Sequence, residues 1–329
     1  MGSRIDQDVP ILELKHLKKY FRVGKNHNLH AVDDINARIA RGTTLGVVGE
    51  SGCGKTTLGR AILKLIEPTD GQILFEGVDI VPLRQKQMRP IRLSMQIIFQ
   101  DPYSSLNPRK SVFETIATPL IVNKVFKDKK EMEKRVRSIM DTCGLTRRLE
   151  NSYPHELDGG RRQRIGVARA LVLKPKVIIC DEPVSALDVS IQAQILNLLM
   201  DLQDEMGLTY IFITHDLSVV KHISHDIMVM YLGKCIEKAP SKEMFINPVH
   251  PYTKALLAAI PIPDISSRTT KMEIVRGELT SPIDPEPGCR FAPRCSYFQP
   301  SCSGQDMELN EISPNHFVAC PVMEKMLPK

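Results

Sequence analysis

The sequence has no tryptophan, few aromatic residues and no long apolar run. Aromatic residues make up 5% of its 329 positions, and no stretch approaches the roughly 18 consecutive apolar residues that a membrane-spanning helix requires. Residues 1–10 lack the apolar segment of a signal peptide, and no low-complexity tract indicates disorder. These absences predict a folded cytosolic protein rather than a membrane-embedded or secreted one.

The rest of the composition is that of an ordinary globular protein. Apolar residues make up 42% and charged residues 25% of the chain, and its length suffices for one large domain with a smaller appendage. The net charge of +6 is spread along the chain and favours no class of partner. Eight cysteines in a cytosolic chain are typical of buried thiols or metal ligands rather than of disulfides. Four of them are scattered, and four fall between Cys289 and Cys320.

A glycine-rich loop follows a short apolar stretch near the start of the chain. Residues 44–48 predict a buried strand, residues 49–56 fit the spacing G-x-x-x-x-G-K-[ST], and residues 58–66 have helical periodicity. This order directs backbone N–H groups and a helix N-terminus at phosphates, so it predicts a P-loop. Lys55 would neutralise the β and γ phosphates, and the Thr56 hydroxyl would ligate Mg²⁺. The predicted ATP and Mg²⁺ contacts of the loop are Gly49, Ser51, Gly52, Cys53, Gly54, Lys55, Thr56 and Thr57.

Three further apolar runs end in polar side chains that suit phosphate hydrolysis. Residues 177–180 lead into Asp181, which would hold Mg²⁺ through water, and Glu182, which would act as general base. Residues 210–213 lead to His215, and residues 95–99 lead to Gln100, which could reach the Mg²⁺ and the attacking water. Taken alone, a strand that ends in two acids is as often a helix-capping turn. With the P-loop, the pattern predicts four catalytic residues around one γ phosphate: Lys55, Gln100, Glu182 and His215.

A second glycine-rich motif precedes a predicted helix. Residues 157–164 read LDGGRRQR, and residues 165–173 continue with helical periodicity. Paired glycines at the start of a helix form another anion-binding terminus.

The order of these motifs resembles the nucleotide-binding domain of ABC transporters. The P-loop, Gln100, the glycine-rich signature, the Asp-Glu strand, the Ser185–Asp188 segment and His215 follow one another as in that family. The resemblance implies an α/β fold of the RecA-like P-loop NTPase type, with an N-terminal antiparallel β subdomain and an inserted helical subdomain at about residues 102–172. It also implies ATPase activity coupled to transport.

The family resemblance also assigns residues outside the P-loop. It implies a head-to-tail dimer in which ATP lies between one subunit's P-loop and the signature of the other, so that Asp158, Gly159 and Gly160 would act in trans. Asp188 would lie in the segment that crosses between the two sites. An aromatic residue would stack on adenine. Tyr20 and Phe21 both match this position, and we favour Phe21, with a role in the core of an N-terminal sheet as the alternative.

Three further segments resemble the ATPases of dipeptide and oligopeptide (peptide/nickel) importers. They are residues 99–109, 250–257 and 287–295. This resemblance implies a second homologous ATPase subunit, two transmembrane permease subunits and an external substrate-binding protein, with no nucleic acid. The chain would then lie peripherally on the cytoplasmic face of the inner membrane. The surface from Gln100 to Val112 would receive a short permease helix.

Prolines mark the predicted end of the ATPase domain. Pro261, Pro263 and the later prolines up to Pro287 disfavour regular structure, so we predict an ABC ATPase domain over residues 1–260 and a C-terminal extension over residues 261–329.

The extension contains a candidate metal site. Cys289, Cys295, Cys302 and Cys320 are separated by five, six and seventeen residues, and four thiolates can hold zinc or a four-iron cluster. The spacing differs from the C-x-x-C of zinc ribbons. Resemblance to the peptide-importer extension, some of whose members carry such a cluster, favours [4Fe-4S], with Zn²⁺ or free thiols as alternatives. His316 is a further candidate ligand, although we expect it to be a surface residue.

The signature departs from the family pattern at two positions. The usual motif reads Leu-Ser-Gly-Gly-Gln, whereas Asp158 replaces the serine and Arg161 replaces the glutamine. A carboxylate about 4 Å from a phosphate oxygen would repel it by ~4 kcal/mol at an effective dielectric near 20. Because the signature acts in trans, we expect the partner's ATP site to turn over poorly.

Three alternative functions remain open at this stage. A nucleotide-binding subunit with a degenerate composite site could have a structural or regulatory role, although intact Glu182 and His215 disfavour this. Import of another solute such as a nickel complex is also possible, because other subunits select the substrate. A soluble ABC protein that acts on DNA or ribosomes usually has two ATPase domains or a long coiled coil, and this sequence has neither.

Overall fold

A computed structural model describes residues 9–260 and 281–326 of the chain. The prolines at 261 and 263, which the sequence predicts to end the ATPase domain, lie outside these ranges, so the boundary near residue 260 stays a prediction. No helix within the described residues is both long and apolar enough to cross a bilayer. The described residues divide into two compact units, one within residues 1–40, 44–82 and 213–329 and the other within 41–43 and 83–212.

The first unit contains an antiparallel sheet of four strands, β1 (Leu12–Val23), β2 (His27–Ile39), β4 (Asp70–Phe75) and β5 (Val78–Asp79). Their order in the sheet is β2-β1-β4-β5. Strand β1 pairs antiparallel with both β2 and β4, and the apolar side chains of its first half, Leu12, Leu14 and Leu17, are buried. Leu12 and Leu14 alternate with less buried residues, as expected of a strand with one apolar face, and a register shift interrupts the alternation before Leu17. The predicted N-terminal antiparallel subdomain is therefore confirmed.

The first unit also contains strands with the order β11-β12-β10-β9-β3. Strand β3 is buried along its whole length and runs parallel to β9, as expected of a central strand covered on both faces. The β11–β12 hairpin of the C-terminal segment joins the edge at β10, where Glu237 pairs with Val318. The elements of this unit are β1 (Leu12–Val23), β2 (His27–Ile39), β3 (Thr44–Val48), α1 (Lys55–Ile62), β4 (Asp70–Phe75), β5 (Val78–Asp79), α8 (Leu217–Ile223), β9 (Asp226–Tyr231), β10 (Lys234–Pro240), α9 (Ser241–Ile246), α10 (Pro251–Ala258), β11 (Asn310–Ser313), β12 (His316–Val318) and α11 (Pro321–Met326).

The second unit combines parallel strands with a helical region. Strands β6 and β7 pair in parallel from Met95 with Val177 to Ile98 with Cys180, and β8 follows β7 in the sheet. Side chains cap the helices: Ser111 and Glu114 form a capping box on α4. Its elements are α2 (Gln85–Ser94), β6 (Met95–Ile98), α3 (Pro102–Ser105), α4 (Val112–Asn123), α5 (Lys129–Thr142), α6 (Gly159–Leu171), β7 (Val177–Asp181), α7 (Val189–Met206) and β8 (Thr209–Ile213).

Candidate functional site

The P-loop connects β3 to α1 in the first unit. Gly49 has φ +152°, and a Cβ there would lie 2.2 Å from the Met230 carbonyl oxygen. Gly54 has φ +104°, and its Cβ would lie 1.9 Å from the Ala31 carbonyl oxygen. Only glycine fits these two positions, because an L side chain would be both strained and in collision with neighbouring backbone. The two glycines therefore let the loop pass close to the neighbouring backbone.

Lys55 is the first residue of α1 and is held inside the loop. Its side chain is 5% exposed, and its Nζ donates to the carbonyl oxygens of Gly49 at 2.7 Å and Glu50 at 2.9 Å. A buried ammonium group needs such partners. The lysine thus lies at the position from which a P-loop lysine reaches phosphate oxygens.

Gln100 and Glu182 are brought together in the second unit. Gln100 Nε2 donates to Glu182 Oε2 at 2.8 Å. Asp181 ends β7 and is 3% exposed. Glu182 follows it with φ +47°, a conformation that is uncommon for residues other than glycine and that concentrates at functional sites. The strand end therefore presents two adjacent acids, one of them oriented by the glutamine.

His215 follows β8 and belongs to the first unit. It is exposed, whereas its neighbour Thr214 is buried and its Oγ1 accepts a hydrogen bond from the Asp216 N–H at 3.0 Å. Asp216 in turn caps α8 by accepting from the Ser218 N–H at 2.8 Å. These contacts fix the backbone on one side of His215 and leave its ring accessible.

The signature motif forms the start of α6. Asp158 is the N-cap residue, and its carboxylate accepts from the Arg161 N–H at 2.8 Å. The same carboxylate lies 3.4 Å from Arg161 Nε. The two residues that depart from the family pattern therefore contact each other, and Arg161 offsets part of the charge of Asp158.

The two signature glycines pack against the segment around α7. A Cβ on Gly160 would lie 2.8 Å from Ile191 Cγ2, and one on Gly159 would lie 3.1 Å from Leu187 Cδ2. Asp188 is the N-cap residue of α7 and immediately follows this contact. The absence of side chains at 159 and 160 thus lets the signature approach the Ser185–Asp188 segment.

The two candidate adenine-stacking residues have different surroundings. The Tyr20 ring stacks on His30 at 3.9 Å between centroids, and its hydroxyl donates to Asp33 at 2.5 Å. Phe21 is 37% exposed, with Lys19 Nζ 4.9 Å from its ring centroid. Phe21 is therefore the more available of the two rings.

Comparison with known proteins agrees with these motifs. The family described as "ABC transporter" matches residues 32–185, and the family described as "Oligopeptide/dipeptide transporter, C-terminal region" matches residues 236–302. The oligopeptide transport ATP-binding protein OppF of Salmonella typhimurium is 49% identical over 329 residues, covering 97% of this chain and 98% of the relative. The chain belongs to the family of ABC transporter ATP-binding subunits of dipeptide and oligopeptide importers.

Solved structures of ABC ATPases have the same fold. CbiO1 of Clostridium perfringens, part of the ABC transporter complex CbiONQ, is 31% identical and matches with a TM-score of 0.65 over 73% of this chain and 92% of that protein. The dimeric ATP-binding cassette MJ0796 bound to ADP and phosphate is 28% identical, with a TM-score of 0.64 over 70% of this chain and 98% of that protein. The predicted P-loop NTPase fold is confirmed. As an ABC ATPase, the chain hydrolyses ATP in the presence of Mg²⁺.

The four cysteines of the extension line one small cavity in the first unit. Cys289, Cys295, Cys302 and Cys320 share its wall with His250 and Tyr297, among others. Burial raises the pKa of the Cys289 thiol to about 12, and burial also raises the pKa values of Cys295 and Cys320. The sequence spacing therefore does correspond to a spatial cluster of thiols.

Other features of the cysteine cavity bear on a ligand. His250 Nδ1 accepts from the Tyr252 N–H at 3.1 Å, whereas its buried Nε2 has no hydrogen-bond partner among the residues that the structure describes. Across residues 9–260 and 281–326, no group of three or more His, Cys, Asp or Glu side chains is arranged to hold a single metal ion. The cavity therefore combines four soft ligands with an unsatisfied ring nitrogen, without the geometry of a mononuclear site.

The remaining four cysteines do not line this cavity. Cys53, Cys143, Cys180 and Cys235 are buried, and burial raises the pKa of both Cys143 and Cys235 to about 12. Buried neutral thiols of this kind are unreactive.

The expectation that His316 is a surface residue is wrong. Its side chain is 1% exposed, and Nε2 lies 2.8 Å from Glu237 Oε1. The fully buried Glu237 carboxylate also accepts from the N–H groups of Val249 at 2.8 Å and His250 at 2.9 Å. His316 therefore joins the β11–β12 hairpin to β10. Sequence analysis missed this pairing because 79 positions separate the two residues.

Sequence analysis also missed the contacts that Arg294 of the extension and Tyr252 of α10 make with the P-loop. Arg294 Nη1 lies 3.0 Å from Glu50 Oε2, and the Tyr252 hydroxyl accepts from the Glu50 N–H at 2.9 Å. One indication was available from the sequence: Tyr252 and Arg294 each lie in a segment that resembles peptide-importer ATPases.

Proposed function

We propose that this chain is the ATP-hydrolysing subunit of an importer of dipeptides or oligopeptides. The observation that carries the proposal is the end-to-end match to the oligopeptide transport ATP-binding protein OppF, which extends through the C-terminal region. Transporters of this subfamily recognise their substrates outside the ATPase, so the range of peptides follows from the permeases and the binding protein.

The proposed chemistry assigns one role to each polar group. Glu182 takes a proton from the attacking water, and Gln100, already hydrogen-bonded to it, orients both. Lys55 and the P-loop N–H groups bind the β and γ phosphates, and His215 contacts the γ phosphate from a second strand end. Thr56 and Asp181 would hold Mg²⁺, which neutralises phosphate charge. Phe21 stacks on adenine.

The proposed assembly is a heterodimer of ATPases on two permease subunits, with an external substrate-binding protein. The dimeric MJ0796 cassette supports pairing of two ATPase subunits. Tyr103, 66% exposed, lies on the surface from Gln100 to Val112 that we propose contacts a permease helix. This assembly would hold the chain peripherally on the cytoplasmic face of the inner membrane.

Purification through a tag on this chain tests the assembly. After detergent extraction of membranes from the native cells, we expect a second ATPase subunit and two permeases in equal amounts, and ATPase activity that rises with peptide-loaded binding protein. A chain recovered alone from the soluble fraction, with activity indifferent to peptide, would refute the proposal and favour a soluble ABC protein.

We further propose that the heterodimer is asymmetric. The composite site that contains Asp158 and Arg161 lacks the serine hydroxyl that donates to a γ phosphate in the usual signature. The contact between Asp158 and Arg161 should reduce the loss of ATP turnover at this site. Arg161 offsets part of the negative charge that Asp158 would otherwise present to the phosphate. The pair is half exposed, so this compensation is partial. The partner's ATP site, which this signature completes, should therefore be slow rather than inactive.

A double-mutant cycle on the signature tests the asymmetry. Arg161→Gln leaves Asp158 uncompensated and should lower ATP turnover by the complex about threefold to tenfold. Asp158→Ser with Arg161→Gln restores the usual motif and should raise turnover above that of the parent. If the double variant is no faster than Arg161→Gln, the proposal of a compensated pair is wrong.

The cysteine cavity is the proposed site of a [4Fe-4S] cluster. Zn²⁺ is the alternative, and it would require the thiols to move closer together, because the described residues lack the geometry of a mononuclear site. Four thiols around one cavity are the donor set of such a cluster, and the buried Nε2 of His250, which lacks an acceptor, suits a sulfur-rich ligand. Cys289, Cys295, Cys302 and Cys320 would hold it. Its proposed contribution is structural, since it would join four cysteines that lie apart in the sequence of the extension.

A further inference from the structure

Two arginines of the extension lie next to cysteines of the cavity and are themselves buried. Arg290 follows Cys289, and Arg294 precedes Cys295. Their side chains are 6% and 9% exposed. A buried guanidinium group is costly unless it is paired, so the partners of these arginines indicate their role.

Arg294 and Tyr252 hold the second residue of the P-loop. Arg294 Nη1 donates to both carboxylate oxygens of Glu50, at 3.0 and 3.3 Å. The Glu50 N–H donates to the Tyr252 hydroxyl at 2.9 Å, and the Glu50 carbonyl oxygen accepts from Lys55 Nζ at 2.9 Å. The side chain, N–H and carbonyl of Glu50 are thus all engaged, two of them by residues far along the chain.

Arg290 supports the other end of the same loop. It pairs with Asp33 and donates to the Leu232 carbonyl oxygen. The adjacent Gly233 N–H donates to the Cys53 carbonyl oxygen at 2.8 Å, within the P-loop. The segment 289–295 therefore reaches the loop by one direct contact and one contact through the β9–β10 turn.

An aromatic cluster fixes this segment in place. Phe291 lies between the two arginines and is 3% exposed. Its ring centroid is 5.4 Å from those of Tyr231 and Tyr252, and the two tyrosine rings are 4.7 Å apart. Burial of three aromatic rings gives the arginines a rigid base.

We propose that Arg294 and Tyr252 are positioning residues for ATP binding. A P-loop binds phosphate through N–H groups that must converge. The apparent affinity for ATP is therefore proportional to the fraction of molecules whose loop has the binding conformation. Arg294 and Tyr252 fix Glu50 beside Gly49, where the loop begins. Arg294 of the C-terminal extension and Tyr252 of α10 therefore prepare the phosphate site, and this role does not depend on which ligand the cysteine cavity holds.

Nucleotide binding to the full-length chain tests the proposal. With a fluorescent ATP analogue, Arg294→Met should raise the Kd about tenfold, the size expected for loss of a charge-assisted contact. Arg294→Lys should restore most of the affinity, and Tyr252→Phe should weaken binding about threefold. In the assembled complex the KM for ATP should rise while kcat changes little, because Arg294 does not contact the reacting atoms.

The controls separate positioning from general loss of structure. Asp306→Asn removes a different contact between the extension and the core, 2.8 Å from Lys234, and should leave the Kd unchanged. The double variant Glu50→Gln with Arg294→Met should have a Kd no higher than that of Arg294→Met alone. Glu50→Gln alone should also raise the Kd, because it removes the carboxylate charge that Arg294 contacts, and it decides the question if Arg294→Met does not fold. An unchanged Kd in folded Arg294→Met or folded Glu50→Gln, or equal weakening by Asp306→Asn, would overturn the proposal.

Discussion

Replacement of Glu182 by glutamine should lower ATP turnover by the assembled complex at least a hundredfold, since general bases contribute about 10²- to 10⁴-fold. The change keeps the size of the side chain and its contact with Gln100, but it removes the group that accepts the proton from water. ATP affinity should stay within about threefold, because the phosphates are bound mainly by the P-loop. Steady-state ATPase assays and equilibrium ATP binding measure the two quantities.

Glu205→Gln provides a matched control. Glu205 is an exposed residue of α7 in the same unit, so its substitution should leave turnover unchanged. A single-turnover assay distinguishes a catalytic subunit from a regulatory one, because a degenerate subunit would show no fast hydrolysis even before the mutation. Retention of half of the parent turnover by Glu182→Gln would contradict the role of Glu182 as general base.

Anaerobic purification should yield about four irons and four sulfides per chain with a broad absorption band, and Cys302→Ser or Cys289→Ser should abolish the iron. Both cysteines line the cavity, and a serine hydroxyl is a poor ligand for this metal cluster. The free energy of unfolding should fall as well, because binding of the ligand is coupled to folding of the extension. Iron and sulfide analysis and thermal unfolding check these results.

Cys235→Ala is the control for loss of a buried thiol. Cys235 is buried in β10 but does not line the cavity, so this variant should keep its iron. A content of one zinc and no sulfide per chain would contradict the cluster and support the zinc alternative. A parent protein that contains neither iron nor zinc would contradict both metal proposals. The four cysteines that line the cavity would then be ordinary thiols.

Local motifs predicted the elements of the nucleotide site well. Residues 44–48 form β3 as predicted, because a continuous apolar run between polar segments is typical of a buried parallel strand. The helices begin earlier than their apolar periodicity suggested. Helix α6 starts at Gly159 rather than Ile165, since Asp158 caps it and its first turns carry polar residues that an apolar pattern does not count, although Arg162 and Gln163 among them are buried.

Long-range polar contacts could not be predicted. Arg294 and Glu50 are 244 positions apart, and neither residue type nor spacing indicates that they meet. The same holds for His316, which was expected at the surface. Its burial depends on Glu237, a carboxylate in β10 that also lies inside the protein. In both pairs, the burial of a polar side chain depends on a partner that is distant in the sequence and close in the fold.

The effect of Asp158 also required the structure. From the sequence alone, its carboxylate faces a phosphate without compensation. The N-cap geometry of α6 directs the carboxylate to the Arg161 N–H and side chain, so that the two departures from the family signature are one local arrangement.

Peptide uptake by reconstituted complexes tests the central claim most directly. The complex, purified through a tag on this chain and placed in vesicles with ATP on the ATPase side, should accumulate labelled peptide when the loaded binding protein is supplied on the other side. Accumulation should stop without ATP and in the Glu182→Gln variant. Peptide uptake that continues at the parent rate in the Glu182→Gln complex, or ATP hydrolysis that moves no peptide at all, would contradict the account.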